Sequence, residues 1–326
     1  MNSGDTIITL FGYLLYMVTV MYSYRFGWKR FNWYAIISFT LLLGLRGNGI
    51  DYGVYNYAFQ LLCSNNADFL SDAYLNTLKY APVHFEIGHL ACIKLISYFS
   101  DNSIFFFGTL AFAQVFFFDM FVRNFKIKRL RSLLVFFFFT TLIFCVAFNG
   151  MRQIAAFLMF INTYKFIEQR SMKKYFACVL AISMVHSSIL ILLPFYFFIY
   201  KDFLPRKKMQ CAIYLVVMFF ANFFKDRLRS VLYFLNYASD EGYAGYFQRE
   251  IFDLKEDVSL LVIVTRLLTF FFILMYSDKL KKKYGALGVI IYNFTFIGLL
   301  LQELSFNLAI LRLNYYFYYV IFAVLA

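Results

Sequence analysis

Proline is scarce in this chain, with three among 326 residues, so little interrupts its apolar runs. Charge is scarce as well, at 15% of residues, against about 25% in soluble domains. The runs lack the apolar/polar alternation of a transmembrane β-strand, which excludes a barrel. The five cysteines form no C-x-x-C pair, and Cys92, Cys145, Cys178 and Cys211 lie in or beside apolar segments. Neither a disulfide framework nor a zinc site is indicated. There is no D-x-D pair to hold a nucleotide-sugar metal, and no G-x-x-x-x-G-K or H-E-x-x-H motif. The first segment lacks a basic n-region and a small-residue cleavage site, so it reads as a retained helix, not a signal peptide.

What is present is hydrocarbon. Apolar residues make up 62% of the chain and aromatics 23%, against about 45–50% apolar in soluble proteins. The mean hydropathy is +0.67. Stretches 6–24, 104–122, 133–148 and 259–276 approach the roughly 20 residues that span a bilayer. Lipid cannot satisfy free backbone amides, so such segments must be helical. The reading is an all-α polytopic integral membrane protein, a single transmembrane domain over 1–326. A net charge of +13 raises nucleic acid as a partner, but the basic residues fall in short clusters between apolar runs. That is the pattern of cytoplasmic membrane loops, and nucleic-acid binding is set aside.

Those clusters orient the chain. Arg25, Lys29 and Arg30 form the first, and Arg123, Lys126, Lys128, Arg129 and Arg131 the second. Arg170, Lys173 and Lys174 follow, then Lys201, Arg206, Lys207 and Lys208, then Lys279, Lys281, Lys282 and Lys283. Placing all five inside puts the N-terminus outside and gives about 11 crossings. Parity then requires the apolar run 175–200 to leave and return, breaking at His186-Ser187-Ser188. It also makes 46–101 an external loop whose piece 85–99 is a re-entrant or juxtamembrane helix, and 225–258 a second external loop. A rival threading makes 85–99 a full crossing, at the cost of leaving Arg25, Lys29 and Arg30 outside.

Ionisable groups inside or at the ends of membrane helices are costly and become functional candidates. On this threading Arg46, Asp51, Glu86, Arg152, His186 and Arg312 gather at the outer side. The helices beginning near Arg152, Ser187 and Arg312 point their N-termini outward, with Asn149 and Ser187 as expected N-caps. Helix N-termini joined by arginines suit phosphate or diphosphate. A nearby carboxylate or imidazole then suits proton removal from an attacking hydroxyl. Arg266, inside the 259–276 helix, either lines the cavity or pairs with a carboxylate. Glu86 and His89 share a helical face at i, i+3 while His84 points elsewhere, so a metal is not expected.

The ordered set Arg46, Asp51, Tyr55, then Phe85-Glu86-x-Gly88, Arg152-Gln153-x-Ala155, His186-Ser187-Ser188, and Arg312 with Tyr315 and Tyr316 resembles the EpsG-like family of Wzy-type polymerases. The resemblance implies a GT-C-like bundle with an outward-facing cavity in the bacterial cytoplasmic membrane. It implies an enzyme that joins undecaprenyl-diphosphate-linked oligosaccharide repeat units into surface polysaccharide at the outer face. On that pattern Arg46, Arg152 and Arg312 bind the diphosphate, and His186, Glu86 or Asp51 acts as base beside Arg152; Arg266 joins the diphosphate candidates as an intramembrane charge. No cofactor is implied, and a chain-length regulator is a candidate partner. Two alternatives remain: another polyprenyl-dependent glycosyltransferase or glycan ligase, and a flippase for the lipid-linked oligosaccharide.

Overall fold

The computed structural model describes residues 14, 17–24, 32–45, 52–64, 85–125, 131–135, 150–202, 206–237, 260–305, 308–318 and 320–321. Among these there is no strand. The helices are α1 (Trp33–Gly44), α2 (Tyr52–Ser64), α3 (Ile87–Ser97), α4 (Ser103–Arg123), α5 (Met151–Ile161), α6 (Tyr164–Glu168) and α7 (Met172–Ser183). A 3-10 helix (Ser187–Phe197) follows, then α8 (Lys207–Tyr237), α9 (Leu260–Glu303) and α10 (Leu308–Tyr318). Two of them, α4 and α9, are long and apolar enough to cross a bilayer. With the apolar composition, this is a helical membrane protein. At about 1.5 Å per residue, the 11 residues of α3 fall well short of a hydrocarbon core roughly 30 Å thick. The run 175–200 does break at the expected place: α7 ends at Ser183 and the 3-10 helix starts at Ser187. Of the two segments read as external loops, 46–101 contains α2 and α3, and α8 carries helix into 225–258 as far as Tyr237.

The chain divides into two compact units. The first holds residues 1–163 and 173–191, the second 164–172 and 192–325. Within the first unit, asparagines start α1 and α4. Asn32 accepts a bond from the Ala35 amide at 3.2 Å, and Asn102 accepts one from the Ile104 amide at 2.8 Å, which satisfies amides a helix leaves orphaned. Lipid is as apolar as leucine, so burial alone does not draw membrane helices together; close packing does. Here α1 meets α4 at a glycine pair: a Cβ on Gly44 would lie 2.7 Å from the Gly108 Cα. On another face of α4, Phe106 stacks on Phe59 and Phe107 on Tyr52, each pair with centroids 4.6 Å apart. Such pairs contribute about 0.5–1.5 kcal/mol each. Asp119, fully buried on α4, accepts bonds from Tyr24 at 2.8 Å and Arg123 at 2.6 Å.

The second unit is built on α9, which is two helices meeting at Gly285, where φ is 56°. Only glycine adopts that left-handed conformation without strain. Beside the break, two of the basic clusters meet: Lys207 pairs with Asp278, and Lys281 with Asp202, both at 2.7 Å. They therefore share one end of this unit, as the charge pattern requires of loops on one side. Gly298 lets α9 approach the Tyr318 backbone of α10.

Candidate active site

Three sequence-selected residues come together in the first unit. Glu86 is the N-cap of α3, with extended backbone, yet its side chain makes no bond to its own helix. It reaches instead to the turn between α7 and the 3-10 helix. Its Oε1 accepts from the Ser187 amide at 2.8 Å and from the Ser187 hydroxyl at 3.1 Å, and it lies 3.1 Å from His186 Nδ1. Its Oε2 pairs with Arg152 Nη1. Glu86 thus caps the start of a helix a hundred residues away. The Ser187 amide, one of the helix N-terminal donors, is thereby bonded to a carboxylate.

Arg152 sits in the first turn of α5, 7% exposed. Its Nε donates to the Tyr55 hydroxyl at 3.0 Å, and its guanidinium lies 4.6 Å from the Phe85 ring centroid. The flat, delocalised cation suits both the aromatic face and the carboxylate. Gln114 of α4 fixes the start of α5 by donating to the Met151 carbonyl at 2.8 Å. The N-cap of α5 is Gly150, which has no side chain to bond the first amides. The expected N-cap, Asn149, lies outside the described residues. Ser187 is the first residue of the 3-10 helix and not its cap.

An ionised carboxylate only accepts hydrogen bonds. Against Glu86, then, His186 Nδ1 is the donor. Burial pushes the Glu86 carboxyl up, but the His186 hydrogen bond, the Arg152 charge and the Ser187 amide outweigh it and hold the pKa at about 2. A carboxyl lowered in this way stabilises the fold above the pKa of the unfolded chain, near 4.5. That contribution is lost as the pH falls through about 2. Thermal midpoints of the purified protein should therefore drop between these two values, and Glu86→Gln should flatten that part of the profile. An equally steep acid limb in the variant would place the titration elsewhere.

Two neighbours were not selected from sequence. Gly88 lies against the turn before His186: a Cβ there would be 2.7 Å from the Met184 carbonyl oxygen, while the His89 amide donates to that same oxygen at 3.1 Å. This backbone approach seats Glu86 within reach of His186. Gly88→Ala should force the segments apart, with an overpacking cost of about 1–3 kcal/mol and loss of most activity. Unchanged turnover in Gly88→Ala would show that the contact is dispensable. His89 is 2% exposed, stacked on Phe85 and edge-on to Tyr55. Its Nε2 finds no hydrogen-bond partner among the described residues. Gly88 was visible within Phe85-Glu86-x-Gly88, but nothing in that spacing points to Met184.

The other selected residues lie elsewhere. Arg266 is in the second unit, where its Nη1 lies 3.3 Å from Glu303 Oε2, and Glu303 also accepts from Tyr214 at 2.6 Å. Of the two readings left open for Arg266, this is the carboxylate pairing. Glu303 was missed, although a lone carboxylate ending the run Leu299-Leu300-Leu301 was a usable signal. Arg312, expected to begin the last helix, is instead the fifth residue of α10, and its side chain is outside the described residues. Arg46 and Asp51 also lie outside them.

The family model described as the EpsG family matches residues 29–326, nearly the whole chain. The chain belongs to the EpsG family. Neither a curated relative nor a solved structure matches it. For this EpsG-family chain, membership indicates a polysaccharide-polymerase-type role, in keeping with a helical membrane protein. The Glu86 centre lies inside the matched region and draws on α2, α3, α5 and the turn before the 3-10 helix.

Proposed function

We propose that this chain joins undecaprenyl-diphosphate-linked oligosaccharide repeat units into a surface polysaccharide at the outer face of the bacterial cytoplasmic membrane. A terminal sugar hydroxyl of one lipid-linked unit attacks the anomeric carbon of another. The new glycosidic bond forms as the bond to the diphosphate oxygen breaks, and undecaprenyl diphosphate leaves with the electron pair. His186 takes the hydroxyl proton on Nε2, while Glu86 holds the ring and stays ionised. Arg152, beside the first turn of α5, stabilises the charge developing on the diphosphate. Arg46 and Arg312 are further candidate cations for diphosphate, and Asp51 is the alternative base. About 11 crossings, a GT-C-like bundle and an outward-facing cavity complete this reading, with a chain-length regulator as candidate partner.

The observation that supports it best is the Glu86 carboxylate shared by Arg152 and His186. A base oriented by a carboxylate, beside a buried arginine, is what hydroxyl activation and diphosphate departure require. The test is product analysis with purified protein and a lipid-linked repeat unit. A ladder of lengths is expected. A single transfer onto a different acceptor would mark a ligase or a one-sugar transferase. Movement of intact lipid-linked units across a vesicle without any new glycosidic bond would mark a flippase.

A further inference from the structure

His89, a buried basic group of the first unit, takes no part in the reaction proposed above. It stands in the first turn of α3, one turn on from Glu86, and is 2% exposed. The other buried residues of that helix are Leu90, Ile93 and Ile96. An apolar ring would fill the place of His89 and leave nothing unpaired. Instead, His89 Nε2 is buried without a hydrogen-bond partner among the described residues. Burying a polar atom unpaired costs stability, so its retention calls for a physical reason. Two rings tie His89 to the reactive pair. Phe85 stacks on the imidazole with centroids 5.5 Å apart, and the Arg152 guanidinium lies 4.6 Å from the same Phe85 centroid. Tyr55 meets the imidazole edge-on at 5.7 Å, and its hydroxyl accepts from Arg152 Nε.

Charge supplies the reason. Among the described residues the centre carries no net charge, since Glu86 offsets Arg152. A diphosphate that links a lipid to a sugar carries a negative charge on each phosphate. His186 has to be unprotonated to act as the base, so it is not the group that balances them. The charged or titratable groups facing His89 are Tyr55 from α2, Glu86 at the head of its own helix, Arg152 from α5 and His186 from the turn before the 3-10 helix. While the site is empty, burial and the Arg152 charge keep the imidazole neutral. An anion held at Arg152 reverses that balance, because a nearby opposite charge favours the protonated ring. We propose that His89 is the reserve cation of this centre, an assignment that rests on the function proposed above. As the diphosphate binds, a proton from solvent goes onto the ring nitrogen that lacks one, and it returns to solvent when the product leaves.

The test is the pH dependence of binding. The probe is a farnesyl diphosphate diester of N-acetylglucosamine, whose charges do not titrate near neutral pH. Its affinity for the full chain in phospholipid nanodiscs is measured from about pH 8 to about pH 6, either side of the ordinary histidine value. A ring whose pKa rises on binding takes up a proton, so wild-type affinity should grow by up to about tenfold per pH unit as the pH falls. The gain should vanish above the raised pKa. His89→Phe keeps a ring in the stack and removes the unpaired nitrogen, so it should fold at least as stably while its affinity stays flat with pH. His186→Gln should keep the slope. Calorimetry of wild type in buffers of different ionisation enthalpy reads the same proton uptake without any variant. A flat wild-type profile with measurable binding, or a slope that survives His89→Phe, would overturn the role of His89 and leave the polymerase reading standing. No binding of the probe to wild type at any pH would remove both.

Discussion

Arg152→Ala is expected to lower polymer formation by about a hundred- to a thousand-fold, the cost of removing a donor aimed at developing negative charge. The effect has two sources. The leaving diphosphate loses a cation, and Glu86 loses the partner of its Oε2. Leaving one member of a mostly buried pair alone costs about 3–5 kcal/mol, so Tyr55, Phe85 and the turn before the 3-10 helix are expected to shift as well. Stability must therefore be measured beside turnover. Arg152→Lys separates the two contributions. It keeps a positive charge but lacks the planar fork that reaches Tyr55 and Glu86 together, so it should recover the thermal midpoint more fully than the rate. Normal turnover in a well-folded Arg152→Ala would remove Arg152 from the diphosphate role.

His186→Ala is expected to lose about 10²–10⁴-fold in rate, the range for a positioned proton acceptor. Glu86→Gln should lose less. A glutamine carbonyl still accepts from Nδ1 and keeps the ring in its tautomer, although the charge facing Arg152 is gone. The contrast decides between the candidate bases. If Glu86 were itself the proton acceptor, Glu86→Gln would be as inactive as Glu86→Ala and His186→Ala would be mild. The carboxyl's pKa of about 2 argues against that order, since so weak a base takes a proton poorly near neutral pH.

Some of this chemistry was legible in the residues alone. An arginine after Asn149-Gly150, a glutamate heading an apolar stretch and a histidine breaking another were each out of place in a membrane segment. Cost in lipid was enough to single them out. The helical class followed as directly, because apolar runs of bilayer length have no other way to satisfy their amides. The break at His186-Ser187-Ser188 came from charge parity across the run 175–200.

Other features depended on contacts between segments distant in sequence. Residues 66 and 100 positions from Glu86 share its carboxylate, and no local period encodes that meeting. The role of Gly88 appears only where α3 touches Met184. The pairing of Arg266 with Glu303 required the second unit to fold α9 back on itself at Gly285. The N-cap of α5 also falls on Gly150, one residue past Asn149, a difference within the residue or two by which helix ends vary. By itself the sequence determined composition, helical class and the short set of costly polar residues, since these follow from transferring each segment into lipid. The tertiary structure alone decided which of those residues meet and which oxygen bonds which donor. Those depend on packing between distant helices, and a hydropathy pattern carries no information about that.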